Sequence, residues 1–401
     1  MWEKIMEVDS TKMTDYVILV CIFLAVVGGI TTRQIFFVIG FLFVLYLFLN
    51  LWYEKVMGEK LILKNTKQTI RLFPGDKETL FFHFQNDSIF PFVNGKFRFQ
   101  TGNAIITPEI SEQHHDQFEL PLALFSKGKT TLAVNVHAKN RGVAKISNII
   151  FQYPHLFKFH SITLSYIPFF HKEIIVYPQP KKIDGLYKFF QIAPGLQQMR
   201  ISPFEDIENR IGTRDYQYGD SFKHINWKAS AKAQSLQTNT FERVVDKSLI
   251  IIVNLQAKEN RNFPISSEML ERNLSYTAYL AQFAINQGYP YELFINMKNP
   301  GSIPYIHLPE GEGNAHYMHT LEMLARVHQY PMIIPITEMI YRIGQDFKQS
   351  KTIIIVGEIL TEMNMIIGGW RSNHQILQIK EVNGAATIIP LRGKGLKQFA
   401  P

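Results

Sequence analysis

Two long uncharged runs open the chain. Residues 16–30 and 35–53 contain no charged side chain, and a short polar stretch at 31–34 separates them. A membrane-spanning helix needs about 20 apolar residues. The second run meets that length, and the first approaches it when it is extended through the flanking threonines. The pattern therefore predicts a transmembrane helical hairpin over residues 1–55.

A cleaved signal peptide is the alternative for the first run. Acidic residues surround Lys4 and Lys12 near the start of the chain, and a second apolar run follows at once, so two retained spans fit better. Basic residues near span ends favour the cytoplasmic side. Arg33 lies between the runs, whereas five basic residues follow the second: Lys55, Lys60, Lys64, Lys67 and Arg71. We therefore expect a two-pass cell-membrane protein with cytoplasmic termini and cytoplasmic soluble domains.

Residues 56–179 change to short runs in which apolar and polar positions alternate, with turn-forming residues between them. An alternation of period two over several short segments is typical of an antiparallel sandwich. We predict an all-β, immunoglobulin-like sandwich domain here. His114 and His115 fall in a polar stretch, where solvated histidines are expected rather than a metal site.

Residues 180–209 contain three prolines and are predicted to be a connector, and residues 210–401 then alternate between strand and helix patterns. Residues 249–255 form a continuous apolar run, as expected of a strand buried on both faces. Ser267 is predicted to cap a helix that Gly288 ends. Further strands are predicted at 291–295, 351–360, 375–379 and 386–391, and further helices at 314–328 and 336–348. This order predicts a doubly wound α/β sheet.

Composition narrows the function classes. The formal net charge is +8 and the pI is near 9.2, but no basic tail or basic helix concentrates this charge. A basic face toward anionic lipid is therefore preferred to nucleic-acid binding. Cys21 is the single cysteine and lies in the first apolar run. This excludes disulfides, thiolate metal clusters and a cysteine nucleophile from the soluble part.

Residues 210–232 combine charge, aromatic rings and turn formers in one short segment. Gly219 predicts a tight turn, Asp220 is predicted to cap a short helix that begins at Ser221, and Arg214 is placed to pair with Asp220 across the turn. Three aromatic or aliphatic side chains are predicted to anchor the segment: Phe222, Ile225 and Trp227.

Three functions remain open for this segment. It can be a structural clip that docks on the α/β domain, which we favour, or a presented surface with Trp227 in a partner's pocket. In the second case the basic side chains Arg214, Lys223, Lys228 and Lys232 would meet a partner's carboxylates or phosphates. An acid–base site at Asp220 and His224 is the least favoured, because no surrounding residues mark a cavity.

The same segment resembles the Arg-x-Tyr-x-x-Gly-Asp-x-x-Arg-x-Ile-x-Trp-x-x-Ser-Ala-Arg signature of the bacterial domain-of-unknown-function family numbered fifty-eight. Lys223 and Lys232 stand where that signature has arginine, so a bidentate role at those positions does not carry over. The matching residues are Arg214, Tyr216, Gly219, Asp220, Lys223, Ile225, Trp227, Ser230, Ala231 and Lys232.

This resemblance implies a von Willebrand factor A-like carboxy-terminal domain and a link with MoxR-type ATPases or membrane transglutaminase-like proteins. Such A domains bind Mg²⁺ through an Asp-x-Ser-x-Ser loop after the first strand. The corresponding positions here are Asn254, Gln256 and Lys258. They lack the carboxylate and both hydroxyls, so we expect no metal and no cofactor.

Two other features could suggest a metal site or a phosphate loop, but we assign neither function to them. His316 and His319 lie three apart on a predicted helix, and we expect both to be solvated on the side away from its apolar stripe. Residues 310–313 are too acidic for a phosphate loop and are predicted to be a surface loop. No nucleophile elbow, phosphate-binding loop or zinc-protease motif is present in the sequence.

The sequence therefore favours a non-enzymatic, membrane-anchored adaptor that recruits a protein partner, such as a MoxR-type ATPase, in cell-envelope maintenance or assembly. The alternative is an enzyme or ligand-binding domain that acts at the segment 210–232. A third hypothesis is a structural scaffold whose basic face lies on anionic lipid.

Overall fold

The computed structural model describes residues 2–5, 9–31, 33–107, 117–157, 160–190, 205–243, 248–257, 263–347, 350–382 and 384–391. The chain divides into two units, Met1–Tyr177 and Pro178–Pro401. His114, His115 and Lys258, which the sequence singled out, lie outside the described residues.

The uncharged runs form two consecutive helices, α1 (Asp9–Thr31) and α2 (Gln34–Val56), which pack against each other. They approach closely at Gly28, where an added Cβ would lie 3.1 Å from the Phe37 ring. Among the described residues, Gln34–Val56 is the helix that is long and apolar enough to cross a membrane, and the apolar stretch Asp15–Thr31 is shorter. One candidate span is therefore established, and the second stays a prediction.

The first unit is rich in strands. Its strands are β1 (Trp2–Ile5), β2 (Leu61–Leu63), β3 (Gln68–Leu72), β4 (Lys77–Asn86), β5 (Phe92–Gln100), β6 (Ile105–Ile106), β7 (Gln117–Leu124), β8 (Lys129–Ala138), β9 (Gly142–Lys145), β10 (Ser147–Pro154), β11 (Ser161–Tyr166) and β12 (Lys172–Val176).

These strands form three sheets around one apolar core, in the orders β1-β11-β10-β5-β7, β2-β4-β8-β6 and β3-β12-β9. Strict alternation explains the packing, since every second side chain of β7 is buried. Phe82, Phe97 and Phe99 meet at the centre with ring centroids 5.0 to 5.5 Å apart. The strand-rich prediction is confirmed at this level, and the immunoglobulin-like arrangement stays a prediction.

Two features of this unit depart from the predicted pattern. Strands β3 and β12 are parallel, with Gln68 opposite Lys172, although an antiparallel sandwich was expected. Strand β1 was not predicted because four residues are too few to show a period. It pairs with β11 as an edge strand, with Trp2 opposite Tyr166. Strands that precede α1 and follow α2 in sequence thus belong to one unit.

The second unit alternates strands and helices. Its elements are β13 (Ile183–Asp184), β14 (Glu205–Asp215), α3 (Trp227–Ala233), β15 (Gln237–Arg243), β16 (Leu249–Val253), α4 (Ser267–Gln287), β17 (Tyr291–Lys298), β18 (Tyr305–Gly311), α5 (Gly313–Ala325), α6 (Ile336–Asp346), β19 (Thr352–Val356), α7 (Thr361–Trp370), β20 (Gln375–Val382) and β21 (Ala385–Pro390).

Seven of these strands form one sheet in the order β13-β21-β20-β19-β16-β17-β18. The central β16 is buried at all five positions and is parallel to both β17 and β19. Its residues Ile250 and Ile252 join an apolar cluster with α6 and α7, while α4 contacts β16 without joining that cluster. Because strand side chains alternate between faces, helices cover both sides of the sheet.

The edges of this sheet differ from the prediction. Strand β21 turns back antiparallel on β20, and β18 runs antiparallel to β17, so the sheet is mixed and not parallel throughout as expected of a doubly wound sheet. Strand β13 lies within the predicted connector and pairs with β21. Residues 310 and 311, predicted as loop, end β18. The cap of α4 is Ser266 rather than Ser267, whereas Gly288 ends α4 with a positive φ of 66° as predicted.

His316 corrects another prediction. It lies on α5, its ring is 4.5 Å from the Tyr291 ring, and its Nε2 is 3.0 Å from the Tyr291 carbonyl oxygen, so Nε2–H donates to that oxygen. It is therefore half-buried and not solvated, whereas His319 is exposed as expected. Burial lowers the pKa of His316, the nearby His319 lowers it further, and the bond to Tyr291 opposes both effects.

The lowered pKa predicts a pH dependence of stability. The unfolded chain takes up the proton more readily than folded His316, so the contribution of neutral His316 is present above its ordinary pKa of about 6.5 and is lost as the pH falls below it. We expect the free energy of unfolding to decrease from about pH 7.5 to about pH 5.5, and His316→Phe to flatten this dependence. Chemical denaturation across that range measures it.

His328→Phe is the matched control, because His328 is an exposed histidine of the same unit. His374, whose pKa is also lowered by burial, titrates in both variants and cancels in their comparison. Equal pH dependence in the two variants would contradict the assignment.

Candidate functional site

The signature segment forms an antiparallel ribbon whose connection carries a short helix. Strands β14 and β15 pair Arg214 with Thr238 and Asp215 with Gln237, and the amide of Tyr216 donates to the Leu236 carbonyl at 2.8 Å. Between the strands lie a turn, a 3-10 helix at Phe222–His224 and α3. An isolated two-stranded ribbon is marginal in water, so the side chains of the connection matter for its stability.

The predicted pairing of Arg214 with Asp220 is confirmed. The guanidinium donates to both carboxylate oxygens, at 2.8 and 2.7 Å. The amide of Gln217 donates to the same carboxylate at 2.9 Å, and the amide of Asp220 donates back to the Gln217 carbonyl at 3.0 Å. Gly219 permits this turn, because its φ of 108° is open to glycine without strain.

The predicted cap at Asp220 is wrong. The 3-10 helix is preceded by Ser221, which makes no side-chain capping bond. The carboxylate of Asp220 faces Arg214 instead, because a bidentate ion pair offers two charge-assisted bonds where a cap offers one. Its bonds with Arg214 and with the Gln217 amide lower the pKa of Asp220.

Asn226 is the residue that the sequence reasoning missed. Its side-chain oxygen accepts from the Ala229 amide at 3.0 Å and caps α3, and its amide nitrogen donates to Asn239 on β15 at 2.9 Å. Its backbone amide donates to the Gln237 carbonyl at 2.8 Å. Ser230 adds a second link, since its hydroxyl donates to the Asn226 carbonyl and accepts from the Gln237 amide. Asparagine before a short polar helix is the signal that would have revealed this cap.

The apolar members of the motif divide between inside and outside. Ile225 is 5% exposed and bridges to Thr238, so it is an anchor as predicted. Phe222 is 72% exposed and Trp227 is 67% exposed, so neither is an anchor. The segment thus buries one of the three predicted side chains and leaves two rings to solvent.

The outer side of α3 combines aromatic and cationic character. Trp227, Lys228, Ala231 and Lys232 are all exposed, and residues four apart on a helix share a face. Preceding this helix are exposed Lys223 and Phe222, whose ring lies 5.9 Å from that of Tyr216. We call the set Phe222, Lys223, Trp227, Lys228 and Lys232 the basic aromatic surface.

The hydrogen bonds around Asp220 do not favour its use as a general base. Both oxygens of Asp220 are engaged by Arg214, and a carboxylate with a lowered pKa is a weak proton acceptor near neutral pH. His224 is partly exposed, and its backbone amide donates to the Ser221 carbonyl. The motif holds a surface together, and its acidic residue serves that purpose.

The loop that corresponds to the A-domain metal motif, where we expect no metal, makes hydrogen bonds within the fold. The Asn254 side chain, fully buried at the end of β16, donates to the Glu358 carbonyl at 2.7 Å and accepts from the Gln256 amide at 2.9 Å. The Gln256 side-chain oxygen accepts from the Ile336 amide at the start of α6, at 2.9 Å. Among the described residues no group of three His, Cys, Asp or Glu side chains is placed to hold a metal ion.

A polar pocket of about 420 Å³ lies beside this loop, at the carboxyl ends of β19 and β20. Arg272 of α4 crosses it to Glu381 at 3.0 Å, and Gln378 donates to the Gly357 carbonyl at 3.0 Å. The charged side chains that line it are of both signs: Arg272, Glu358, Lys380 and Glu381. The pocket occupies the position at which open parallel sheets bind ligands, but its mixed charge selects no ligand class.

Comparisons with known proteins agree with the signature. The family model described as "Protein of unknown function DUF58" matches residues 212–395. "Uncharacterized protein YeaD" of Bacillus subtilis (strain 168) is 26% identical over 166 residues, which are 39% of this chain and 37% of that protein. The chain thus matches little more than a third of that relative.

Two solved structures are similar over smaller parts. Salmonella alpha-2-macroglobulin is 16% identical over 29% of this chain and 7% of its own, with a TM-score of 0.20. The seventh ScaB type I cohesin of Pseudobacteroides cellulosolvens is 12% identical over 29% of this chain and 91% of its own, also with a TM-score of 0.20. Likeness at this level carries no argument about fold or function.

The cap at Asn226 gives a direct test of the hairpin. Losing an N-cap costs about 1 kcal/mol, so Asn226→Ala should raise the local opening of residues 226–239 roughly fivefold. Amide hydrogen exchange at Ala229 and Gln237 measures this. Lys228→Ala, on the outer side of the same helix, is the control, and equal protection in both variants would show that the cap contributes nothing.

Proposed function

We propose that this chain is a non-enzymatic, membrane-anchored adaptor that recruits a protein partner through the basic aromatic surface. The observation that carries the proposal is Trp227, a large ring left 67% exposed on a helix whose inner side is fastened by Asn226 and Ser230. Tryptophan is enriched among the residues that dominate binding energy in protein interfaces. A frame stabilised from within can therefore present this ring without depending on the partner.

Charge supports a partner with an acidic face. Lys223, Lys228 and Lys232 are exposed around Trp227, whereas Asp220, which precedes them in the same connection, is paired with Arg214. Such a surface attracts carboxylate-rich partners and repels basic ones. A MoxR-type ATPase acting in envelope maintenance or assembly is the partner that the resemblance suggests, and we propose it as the first to test.

We also propose that the second unit is von Willebrand factor A-like. Its support is the parallel centre β20-β19-β16-β17, flanked by antiparallel β18 and β21 and covered by helices on both sides. Asn254 and Gln256 use their amides within the fold. Recognition in this proposal is therefore direct, through side chains, and not through a bridging ion.

Two membrane spans with the soluble units on the cytoplasmic side complete the proposal. Its structural support is β1, which precedes α1 and pairs with β11, a strand that follows α2. Because β1 and β11 are paired, they lie on the same side of the bilayer, so the chain between them crosses it an even number of times. If α2 makes one crossing, α1 is the helix among the described residues that can make the other. The basic residues after α2 then favour the cytoplasmic side.

Partner recovery tests the surface. Trp227→Ala should weaken the complex by about 2 kcal/mol, roughly 30-fold in Kd, at unchanged protein level. Affinity purification from crosslinked membranes, with quantification of a co-purified MoxR-type ATPase, measures it. Tyr341→Ala is the matched control, because Tyr341 is 63% exposed elsewhere in the same unit. Recovery that is equal for the two variants would refute the surface assignment.

Topology is tested by cysteine labelling in a Cys21→Ser background. We expect an impermeant maleimide added outside intact cells to label Gln34→Cys, at the start of α2, but not Lys77→Cys, at the exposed start of β4. Lys77→Cys should react only after permeabilisation. Labelling of Lys77→Cys in intact cells would place the unit outside and overturn the orientation.

A further inference from the structure

One side of the second helix faces the strands of its own unit. Tyr46, Asn50, Tyr53 and Met57 recur at spacings of four, three and four and form a stripe along α2 and its cap. The Tyr46 hydroxyl donates to the Phe157 carbonyl at 2.9 Å, Asn50 is fully buried, and Met57 belongs to the apolar core. From Tyr46 to Met57 the helix rises about 16 Å. The strands therefore flank its last three turns.

Aromatic rings form this contact. The ring of Tyr53 lies 5.4 Å from Phe90, 4.9 Å from His155 and 5.5 Å from Phe157. Trp52 adds a second contact with Phe90 at 5.5 Å. The contacts come from two loops, one between β4 and β5 and the other after β10, so the helix is fixed to the unit at more than one point.

The opposite side of the same turns stays apolar and open. Leu45, Phe48 and Leu51 are between 41% and 66% exposed. The two loops continue this surface, since Ile89 beside Phe90 is 60% exposed and Leu156 beside Phe157 is 57% exposed. Exposed apolar side chains are therefore present both on these turns of the helix and on the two loops that pack against it.

The apolar length of α2 sets the depth of these loops. Residues 35–53 rise about 28 Å, close to the roughly 30 Å hydrocarbon core of a bilayer. Tyr46 lies about 10 Å before Tyr53 along the helix axis. A loop bonded to Tyr46 is therefore about 10 Å below the level at which the helix leaves the hydrocarbon.

We propose that the loops at residues 88–90 and 155–157 insert into the bilayer around α2, with Ile89 and Leu156 against lipid acyl chains. This inference rests on the proposed membrane anchoring by α2. In this proposal the two loops of the first unit lie within the cytoplasmic interface of the bilayer. Other interfacial protein elements enter to a depth of about 5–10 Å.

The hydrogen bonding of the loops fits this environment. Backbone polar groups in lipid need partners within the protein. The Phe157 carbonyl accepts from Tyr46, and the Phe157 amide donates to His155 Nδ1 at 3.0 Å. The Phe90 carbonyl accepts from the Asn86 amide at 2.9 Å and from the Ser88 hydroxyl at 2.8 Å. Side chains thus supply the bonds that water makes in ordinary surface loops.

The test uses the full chain in a Cys21→Ser background, reconstituted into phosphatidylcholine vesicles. Leu156→Cys and, independently, Ile89→Cys carry an NBD label, and lipids with a shallow or a deep doxyl group quench it. We expect a roughly twofold or greater loss of NBD fluorescence in shallow doxyl lipid, as for a group about 5–10 Å beneath the headgroups.

Two further labels make the result decisive. Phe48→Cys, exposed on α2, should be quenched whenever the helix is in the bilayer. Phe73→Cys lies before β4, whose rise to Asn86 at its other end is about 30 Å, and should not be quenched. Quenching of position 48 without 156 and 89 would overturn the insertion and leave the anchor intact. No quenching at 48 would refute the anchor itself, and equal quenching at 73 would refute specific insertion.

Discussion

Backbone groups that lose contact with water need another hydrogen-bonding partner, and asparagine side chains meet that need in both units of this chain. Asn86 donates to the carbonyls of Phe90 and Phe125 beside α2. Asn226 caps α3 and links it to β15. Asn254 connects the ends of β16 and β19. A side-chain amide has two N–H donors and a carbonyl acceptor, whereas a hydroxyl has one donor and an ionised carboxylate has none. One asparagine can therefore bond backbone groups of two segments at once.

The same constraint accounts for how the signature segment uses its polar side chains. Polar side chains that the sequence offered as candidates for chemistry instead hold the hairpin together. Arg214 donates to Asp220, and the Ser230 hydroxyl bonds both Asn226 and Gln237. Trp227 and the lysines around it stay exposed, and they form the surface to which we assign the proposed partner. The motif contains residues that hold the hairpin together and residues that the hairpin leaves exposed. The sequence alone does not distinguish these two sets.

The sequence predicted the parts of the fold that rest on strong local periodicity. The buried run of β16, the Gly288 end of α4 and the pairing of Arg214 with Asp220 all follow from a few neighbouring residues. Strand β1 has four residues with charges in its middle, so no period identifies it. The direction of β21 and the parallel pairing of β3 with β12 depend on distant partners, which local pattern does not specify.

Asn50 shows which side of α2 belongs to the strands. It lies fully buried on the stripe that also carries Tyr46 and Tyr53, so protein surrounds its side chain. The helix thus has one side suited to acyl chains and another suited to protein over the same turns. Because a single rigid helix carries both sides, a bilayer position of α2 would also set the depth of the loops bound to it. In the proposed anchoring, attachment and positioning of the first unit are then one property of α2.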